Sequence, residues 1–478
     1  MKKLFFFAAA AAMFAACSSD DGLTSQPQTA QQPAAQQAVG FDAYTQRALT
    51  RAGLAGEDMD IDNLKKAVGE KGGFGVFAYY TNNNTYDGLT TPNFMYNQGV
   101  FWNTDKWEYS PEKYWPNEYG ENATSDDTDK VTFFAYAPYV ALESASTGKV
   151  AAAEATSGIV GMSRNSAIGD PFVKYIADLD PSKAVDLLWG VADGDDAYGT
   201  STDVTWNPID GTTDQTMTAG LPWKDVKRPS ETDQKLKFTF KHSLSKLNVQ
   251  VDAYVDGTDA TNAVADNTKI YIRSITFNGF ALKGALNLNN TTANKPLWMD
   301  FNGANDLEVG EEITIYDGRK DGKEGAAAAT NEKLTGLNDV LIQSDKYTLT
   351  PSFSATTDGV TKTAVNLFNS TTATDAIYVI PTGETPKVTI VYDVETYDPN
   401  LSTLLSDDKA PGSSIENRIS QTISFGTDAV FEAGKFYTLK LHLGMNSVKY
   451  DAAVEAWVDG GEHSYTYPEA TTGTTSGN

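Results

Sequence analysis

The stretch Ala38–Ala52, AVGFDAYTQRALTRA, reads as a short alternating strand followed by two arginines, Arg47 and Arg51. Apolar side chains at every second position place one face of an extended strand against a core. An edge strand on a segment that a trypsin-like protease can cut is removable, and a sheet without its edge strand can pair with another chain. The sequence therefore predicts a detachable first strand. Its apolar face consists of Val39, Phe41 and Ala43.

The beginning of the chain has the pattern of an export signal. Lys2 and Lys3 precede an apolar run over residues 4–16, too short to span a bilayer, and Cys17 follows directly. We expect a lipoprotein signal peptide over residues 1–16 with acylation at Cys17; the alternative is an ordinary signal peptide beside an incidental cysteine. Cys17 is the single cysteine of 478 residues, which excludes an intrachain disulfide and a cysteine-based zinc or redox site.

The amino-acid composition indicates which kinds of partner the protein can bind and which fold class it belongs to. The chain has 37 Lys and Arg against 63 Asp and Glu, a net charge of −26, so nucleic acid is excluded as a partner. Many Tyr, Phe and Gly residues between runs of Thr and Asn favour strands joined by turns. We predict an all-β protein with few short helices, at 58–68 and 180–188. The predicted strands are 74–80, 131–137, 236–240, 247–253, 270–277, 377–380, 388–394, 437–443 and 448–458.

The organisation along the chain follows from changes in pattern. Residues 17–37 are rich in Gln, Ala and Pro and read as a disordered spacer. The Pro-rich and charged stretch 222–233 is the best seam between two domains. Alternation changes phase between Phe240 and Leu247, so 243–246 must contain a bulge or turn. The predicted segments are 1–16 (signal peptide), 17–37 (spacer), 38–51 (propeptide with the first strand), 52–232 and 233–459 (two domains), and 460–478 (disordered tail).

A search for catalytic and metal-binding residues finds no specific set. His242 and His442 sit in predicted strands with apolar neighbours, where a packed or hydrogen-bonded histidine is the ordinary interpretation. The acidic segments at 58–63 and 317–322 lack the ligands that complete a calcium loop. We therefore predict a protein that is not an enzyme, with no cofactor and no metal.

The aromatic segment 101–119, FWNTDKWEYSPEKYWPNEY, permits two interpretations. Trp102, Trp107 and Trp115 could form a platform on which sugar rings stack. Alternatively, these rings cover part of a β-sandwich, as large aromatic side chains commonly do. The first interpretation corresponds to a monomeric, glycan-binding surface lipoprotein.

Several motifs together make the chain resemble the fimbrillin-like lipoproteins of Bacteroidales, the type V pilins. Each motif is weak alone, but they occur in the family's order over nearly the whole chain. They are residues 17–21 (CSSDD), 50–52 (TRA), 114–116 (YWP), 133–138 (FFAYAP), 185–189 (VDLLW), 238–247 (FTFKHSLSKL) and 431–437 (FEAGKFY), ahead of residues 448–457.

The resemblance implies two transthyretin-like β-sandwich domains in tandem and a surface-exposed lipoprotein of the outer membrane. It implies acylation at Cys17 and cleavage by an arginine-specific surface protease at Arg51, with Arg47 as a second position. Cleavage would remove the first strand, and a strand from the C-terminal region of a neighbouring subunit would replace it. The implied function is a fimbrial subunit, or a fimbria-associated protein, that supports adhesion and biofilm formation with other fimbrial subunits as partners.

The alternation at 448–458 agrees with a donor strand, since apolar and charged residues occupy opposite faces. The Thr-, Gly- and Ser-rich segment that follows it, to residue 478, leaves the roles of shaft, tip and accessory subunit open. It also leaves open a protein that does not polymerise and uses residues 448–458 as an ordinary strand of its own fold. The apolar face of the candidate donor consists of Val448, Tyr450, Ala452, Val454, Ala456 and Val458.

Overall fold

The structure is a computed structural model that describes a defined set of residues. These are 37–45, 59–67, 70–116, 129–151, 157–179, 181, 183–192, 203–206, 208, 215–230, 233–255, 268–307, 312–317, 348–349, 352–353, 365–366, 376–396, 417–424, 430–443 and 448–456.

Strands make up almost all of the regular structure in these residues, which confirms the all-β prediction. In chain order they are β1 (Phe41–Thr45), β2 (Phe74–Tyr80), β3 (Met95–Asn103), β4 (Lys106–Glu108), β5 (Lys130–Ala137), β6 (Leu142–Ser144), β7 (Lys149–Val150), β8 (Gly158–Met162), β9 (Phe172–Ile176), β10 (Leu188–Ala192), β11 (Asp203–Trp206), β12 (Gln215–Thr218), β13 (Trp223–Lys227) and β14 (Leu236–His242). They continue with β15 (Ser245–Val255), β16 (Thr268–Asn278), β17 (Phe280–Ala281), β18 (Lys283–Asn287), β19 (Leu297–Met299), β20 (Ile313–Asp317), β21 (Thr348–Leu349), β22 (Ser352–Phe353), β23 (Val365–Asn366), β24 (Ile377–Pro381), β25 (Lys387–Thr396), β26 (Asn417–Ser424), β27 (Lys435–Leu443) and β28 (Val448–Ala456).

α-Helical structure within the described residues is limited to one turn, α1 (Ile61–Leu64). The Asp60 side chain caps this turn by accepting a hydrogen bond from the Asn63 backbone N–H at 2.7 Å. The helix predicted over 180–188 is wrong, because residues 184–187 are not helical and β10 begins at Leu188. Pairing of β10 with β5 and β14 overrides the local helix-start signal of that segment. No helix among the described residues is long and apolar enough to cross a bilayer.

The first sheet has the strand order β1-β14-β10-β5-β2-β3-β4, with β13 also paired to β5. Successive side chains along its strands point to opposite faces, and apolar side chains are buried on both faces. On β5, Phe133 and Ala135 belong to one buried cluster, whereas Phe134 and Tyr136 belong to another. This sheet is therefore the middle layer of the N-terminal half of the fold.

One face of the first sheet packs on a second sheet, of order β19-β18-β9-β8-β7-β6. The other face is covered by aromatic side chains, among them Trp107, Trp115 and Trp206, together with Leu64 of α1. The predicted division near residue 232 stays a prediction. Strands β14 and β18 follow residue 232 in the chain and pair with β10 and β9, which precede it.

The predicted change of phase after β14 is confirmed. Phe238 and Phe240 are buried in the first sheet, and β15, which starts only three residues after β14 ends, buries Leu247 and Val249 in another sheet. That sheet has the order β17-β24-β15-β27-β28, with β22 and β23 also paired to β15. A further sheet of order β20-β16-β25-β26 also pairs with β21.

Candidate functional site

The predicted first strand, β1, lies at the edge of the first sheet and pairs with β14. The two strands run parallel, with Phe41 opposite Leu236 at one end and Thr45 opposite Phe240 at the other. A strand in this position can leave without breaking any other strand pairing in the sheet. Its departure would expose the free backbone edge of β14.

The connection that follows β1 contains both predicted cleavage positions. Arg47 and Arg51 lie in residues 46–58, outside the described residues, which resume at Met59. Cleavage at either arginine would break the covalent link between β1 and the strands that follow it in the chain.

The side chains of β1 and the residues before it alternate between core and surface as the sequence predicts. Val39, Phe41 and Ala43 are all buried, and Phe41 is 2% exposed. On the opposite face, Tyr44 is 42% exposed and its hydroxyl donates to Asp42 Oδ2 at 3.1 Å. Apolar burial on one face therefore fixes the register of β1.

Phe41 is the main anchor of this strand, because its ring enters an aromatic cluster. The ring centroid lies 6.0 Å from that of Phe133, 6.1 Å from that of Phe238 and 6.3 Å from that of Phe74. Burying a phenylalanine and a valine side chain contributes on the order of 5 kcal/mol. We therefore expect β1 to stay bound by packing after the chain is cut, until a competing strand displaces it.

A second segment holds the beginning of this strand from the side opposite β14. The Val39 backbone N–H donates to Lys113 O at 2.9 Å, and the Trp115 N–H donates to Gln37 O at 2.9 Å. Residues 37–39 therefore pair with the 113–115 segment, directly before residues 41–45 pair with β14. A strand that enters this place gains backbone hydrogen bonds to the 113–115 segment at its beginning and to β14 along the rest of its length.

Tyr109 links the outer segment to β1. Its hydroxyl donates to Val39 O at 2.8 Å and accepts from the Lys113 N–H at 3.3 Å, and its ring centroid lies 5.4 Å from that of Phe41. Burial raises the pKa of Tyr109 to about 12. The hydroxyl is therefore neutral and able to donate throughout the physiological pH range. The sequence places Tyr109 only among the aromatic residues of the 101–119 segment, as a possible part of the sugar platform, and does not indicate its contact with β1.

The candidate donor strand β28 also lies at a sheet edge. It pairs antiparallel with β27, from Lys435 opposite Ala456 to Leu443 opposite Val448. Within the described residues β27 is its only strand partner. Val458, the last of the predicted donor residues, lies outside the described residues, as does the tail at 460–478.

The aromatic segment packs into the core and does not form an open platform. Trp107 is 8% exposed and Trp115 is 5% exposed, and both belong to the cluster that contains Phe41. Trp102 is half-buried, and its ring centroid lies 5.4 Å from that of Trp107. The ammonium nitrogen of Lys65 lies 4.2 Å from the Trp102 ring centroid. Two of the three rings proposed to stack on sugar are thus occupied by protein packing.

His242 makes a largely buried polar contact with Asp186. Its Nδ1 lies 2.7 Å from Asp186 Oδ2, and the same carboxylate oxygen accepts from the Met59 N–H at 3.2 Å. Asp186, in the segment before β10, thus connects His242 of β14 with Met59, which follows the predicted cleavage region. This agrees with the prediction of a hydrogen-bonded core histidine. His442 lies on β27, and His463 lies outside the described residues.

Groups of His, Cys, Asp and Glu that could hold a metal ion are absent from the described part of the chain. In the first acidic segment Asp60 caps α1, and Asp58 lies outside the described residues. The second acidic segment lies outside them beyond Asp317, and so does Cys17. Acylation at Cys17 stays a prediction.

Comparison with known proteins identifies one curated relative. A stretch of 121 residues, 25% of this chain, is 37% identical to the fimbrium subunit Fim1C of Phocaeicola vulgatus. It covers 27% of that relative, so the chain matches about a quarter of the relative's length. The match is consistent with the fimbrillin-like resemblance, since the relative is named a fimbrium subunit. A scan against protein-family models finds no match.

Two solved structures also align with most of the chain. A fimbrial protein from Bacteroides vulgatus is 21% identical, with 88% of this chain and 99% of that chain covered at a TM-score of 0.48. A protein from Bacteroides uniformis, provisionally named a cell adhesion protein, is 13% identical, with 90% and 100% covered at a TM-score of 0.33.

Proposed function

We propose that this chain is a structural subunit of a cell-surface fimbria and that it assembles by strand exchange. Cleavage after β1 breaks its covalent link to the rest of the chain, and β28 of a neighbouring subunit then displaces it from its place beside β14. The observation that carries the proposal is the position of β1, a buried, aromatic-anchored edge strand followed by a segment with Arg47 and Arg51. The named fimbrium relative supports the same class of function.

The first 37 residues carry the features that would bring the protein to the cell surface. The signal peptide at 1–16 exports the chain, and acylation at Cys17 holds it at the outer membrane before assembly. The spacer at 17–37 then carries β1 away from the lipid. Cutting at Arg51, or at Arg47, breaks the covalent link to the lipid anchor, and displacement of β1 by the donor strand then frees the remaining protein from the membrane. Assembly and release from the membrane are thereby coupled.

The energetics favour exchange over simple loss of the strand. An open groove lined by Phe74, Phe133 and Phe238 would expose a contiguous apolar surface to water, which is unfavourable. A donor strand with several apolar side chains contributes on the order of 10 kcal/mol before ordering costs. Backbone hydrogen bonds add about 1 kcal/mol each. The resulting fibre supports adhesion and biofilm formation.

The test is controlled cleavage of the full-length protein by an arginine-specific protease. We expect a ladder of oligomers that resists detergent without heating and collapses to monomer on boiling. The matched control is the double variant Arg47→Gln, Arg51→Gln, which should remain monomeric under the same protease. Efficient cleavage at Arg51 with a product that stays monodisperse at high concentration would contradict the proposal.

A further inference from the structure

The two ends of the described structure carry the same short pattern. Residues 39–43 read VGFDA, and residues 448–452, the first five of β28, read VKYDA. Val, Asp and Ala are shared, and the central position is aromatic in both. The apolar face of the strand that occupies the groove is thus repeated, in order and spacing, in another strand of the same chain.

We propose that residues 448–452 of a neighbouring subunit occupy the places of residues 39–43, parallel to β14 and in the same register. Val448 then replaces Val39, Tyr450 replaces Phe41 and Ala452 replaces Ala43. The proposal rests on the strand exchange above and adds its direction, its register and its anchor residue.

The groove selects this register by size. Phe41 fills a space between aromatic rings, whereas Ala43 is fully packed at a position paired with Phe238. Moving the donor by two residues would place Tyr450 at the site of Ala43 or of Val39, where an aromatic ring would overpack the core. Moving it by one residue would turn the apolar face of the donor to solvent.

The outer face of the groove adds charge complementarity. Lys237 of β14 pairs with Asp42, so Asp451 would lie beside Lys237 in the proposed register. Four residues further, Glu455 would lie beside Lys241, where β1 is followed by the neutral Gln46. Opposite charges placed directly across neighbouring strands stabilise the pairing. Glu455 therefore brings to this position a negative charge that Gln46 of the resident chain does not carry.

One position works against the match. Gly40 corresponds to Lys449, and a Cβ at Gly40 would lie 3.0 Å from Cγ of Lys235. Because the Lys235 side chain is flexible, the contact requires a small adjustment rather than a backbone shift. The two lysines would repel each other modestly on the surface. Lys449→Gly in the donor should therefore improve binding, by a small factor that decreases with added salt.

The experiment uses the full-length protein, cut by the arginine-specific protease in the presence of excess amidated peptide 446–458. A peptide of residues 37–46 is the positive control, since it reproduces the resident strand. Bound peptide is coupled to the protein with a carbodiimide, which joins a carboxylate to a neighbouring amine, and the linked residues are mapped by mass spectrometry. We expect Asp451 to link to Lys237 and Glu455 to link to Lys241. Lys237→Arg should abolish the first link and leave affinity unchanged.

Affinity measurements on peptide variants test the anchor. Tyr450→Ala should weaken binding on the order of a hundredfold. Ala453→Ser, at the outward position of Tyr44, should change it by less than about twofold.

Different failures separate the register from the exchange itself. A bound peptide whose Asp451 links to Lys235, or whose affinity does not depend on Tyr450, would overturn the register and leave strand exchange intact. Binding of the 37–46 peptide without binding of the 446–458 peptide would overturn β28 as the donor. Binding of neither peptide would overturn strand exchange and this inference with it.

Discussion

The ring of Phe41 stacks on the ring of Phe238, with centroids 6.1 Å apart and planes inclined by 28°. In the proposed exchange, Phe41 leaves with β1 and Phe238 stays on β14. The contact between them is therefore one that the exchange would break and then rebuild with another side chain. Its strength would influence how long β1 persists after cleavage.

Phe41→Ala should lower the free energy of unfolding by about 3–4 kcal/mol, because it opens a cavity among aromatic rings. Tyr44→Ala is the matched control on the exposed face of the same strand and should change it by less than about 0.5 kcal/mol. Denaturant titration of the uncleaved protein gives both values. Equal effects of the two substitutions would show that β1 is not anchored through Phe41.

Tyr109→Phe should cost about 1 kcal/mol at neutral pH, since it removes the hydrogen bond to Val39 O. Burial raises the pKa of Tyr109 from its ordinary value of 10.0 to about 12. The neutral hydroxyl thus contributes stability that is complete below pH 10.0 and is lost as the pH rises through about 12. Unfolding measured across this range should show the advantage of the wild type over Tyr109→Phe decreasing. An advantage that grows with pH would contradict the assignment.

Asp186→Ala should destabilise the protein by about 2–4 kcal/mol, because the buried His242 ring and the Met59 N–H lose their shared acceptor. Asp105→Ala removes a carboxylate from an exposed turn and should change stability by less than about 0.5 kcal/mol. Thermal unfolding of the two variants is the measurement. Hydrogen exchange should also rise in residues 59–67 of Asp186→Ala, and unchanged exchange there would exclude a role of Asp186 in holding that segment.

Trp107→Ala should lower the free energy of unfolding by about 3 kcal/mol or more, since the ring is buried against Phe74. A glycan panel should produce no saturable change in tryptophan fluorescence in the wild-type protein. Saturable quenching by a sugar, lost in a folded Trp102→Ala variant, would instead revive the glycan-binding alternative.

Local alternation was sufficient to predict much of the fold. β2 begins and ends where the pattern places it, and Val39, Phe41 and Ala43 are buried as their spacing requires. The helix predicted over 180–188 rests on local pattern, whereas β10 forms through its pairing with β5 and β14, which a local pattern does not indicate.

Contacts that span long stretches of sequence could not be predicted. β18 pairs with β9 across more than a hundred residues, and no periodicity within either strand indicates the partner. The outer segment around Lys113 and its link through Tyr109 to Val39 are likewise set by the path of a loop. Burial of Trp107 and Trp115 depends on where the loop crosses the sheet, so the sequence alone leaves both interpretations of the aromatic segment open.

The composition of the assembled material tests strand exchange most directly. Detergent-resistant oligomers formed after cleavage should be purified, denatured and examined by mass spectrometry and N-terminal sequencing. We expect chains that begin at Ala52, with the peptide containing residues 38–51 absent from the oligomers and recovered in the unassembled fraction. Oligomers that retain this peptide in equal amount to the remaining chain would contradict strand exchange.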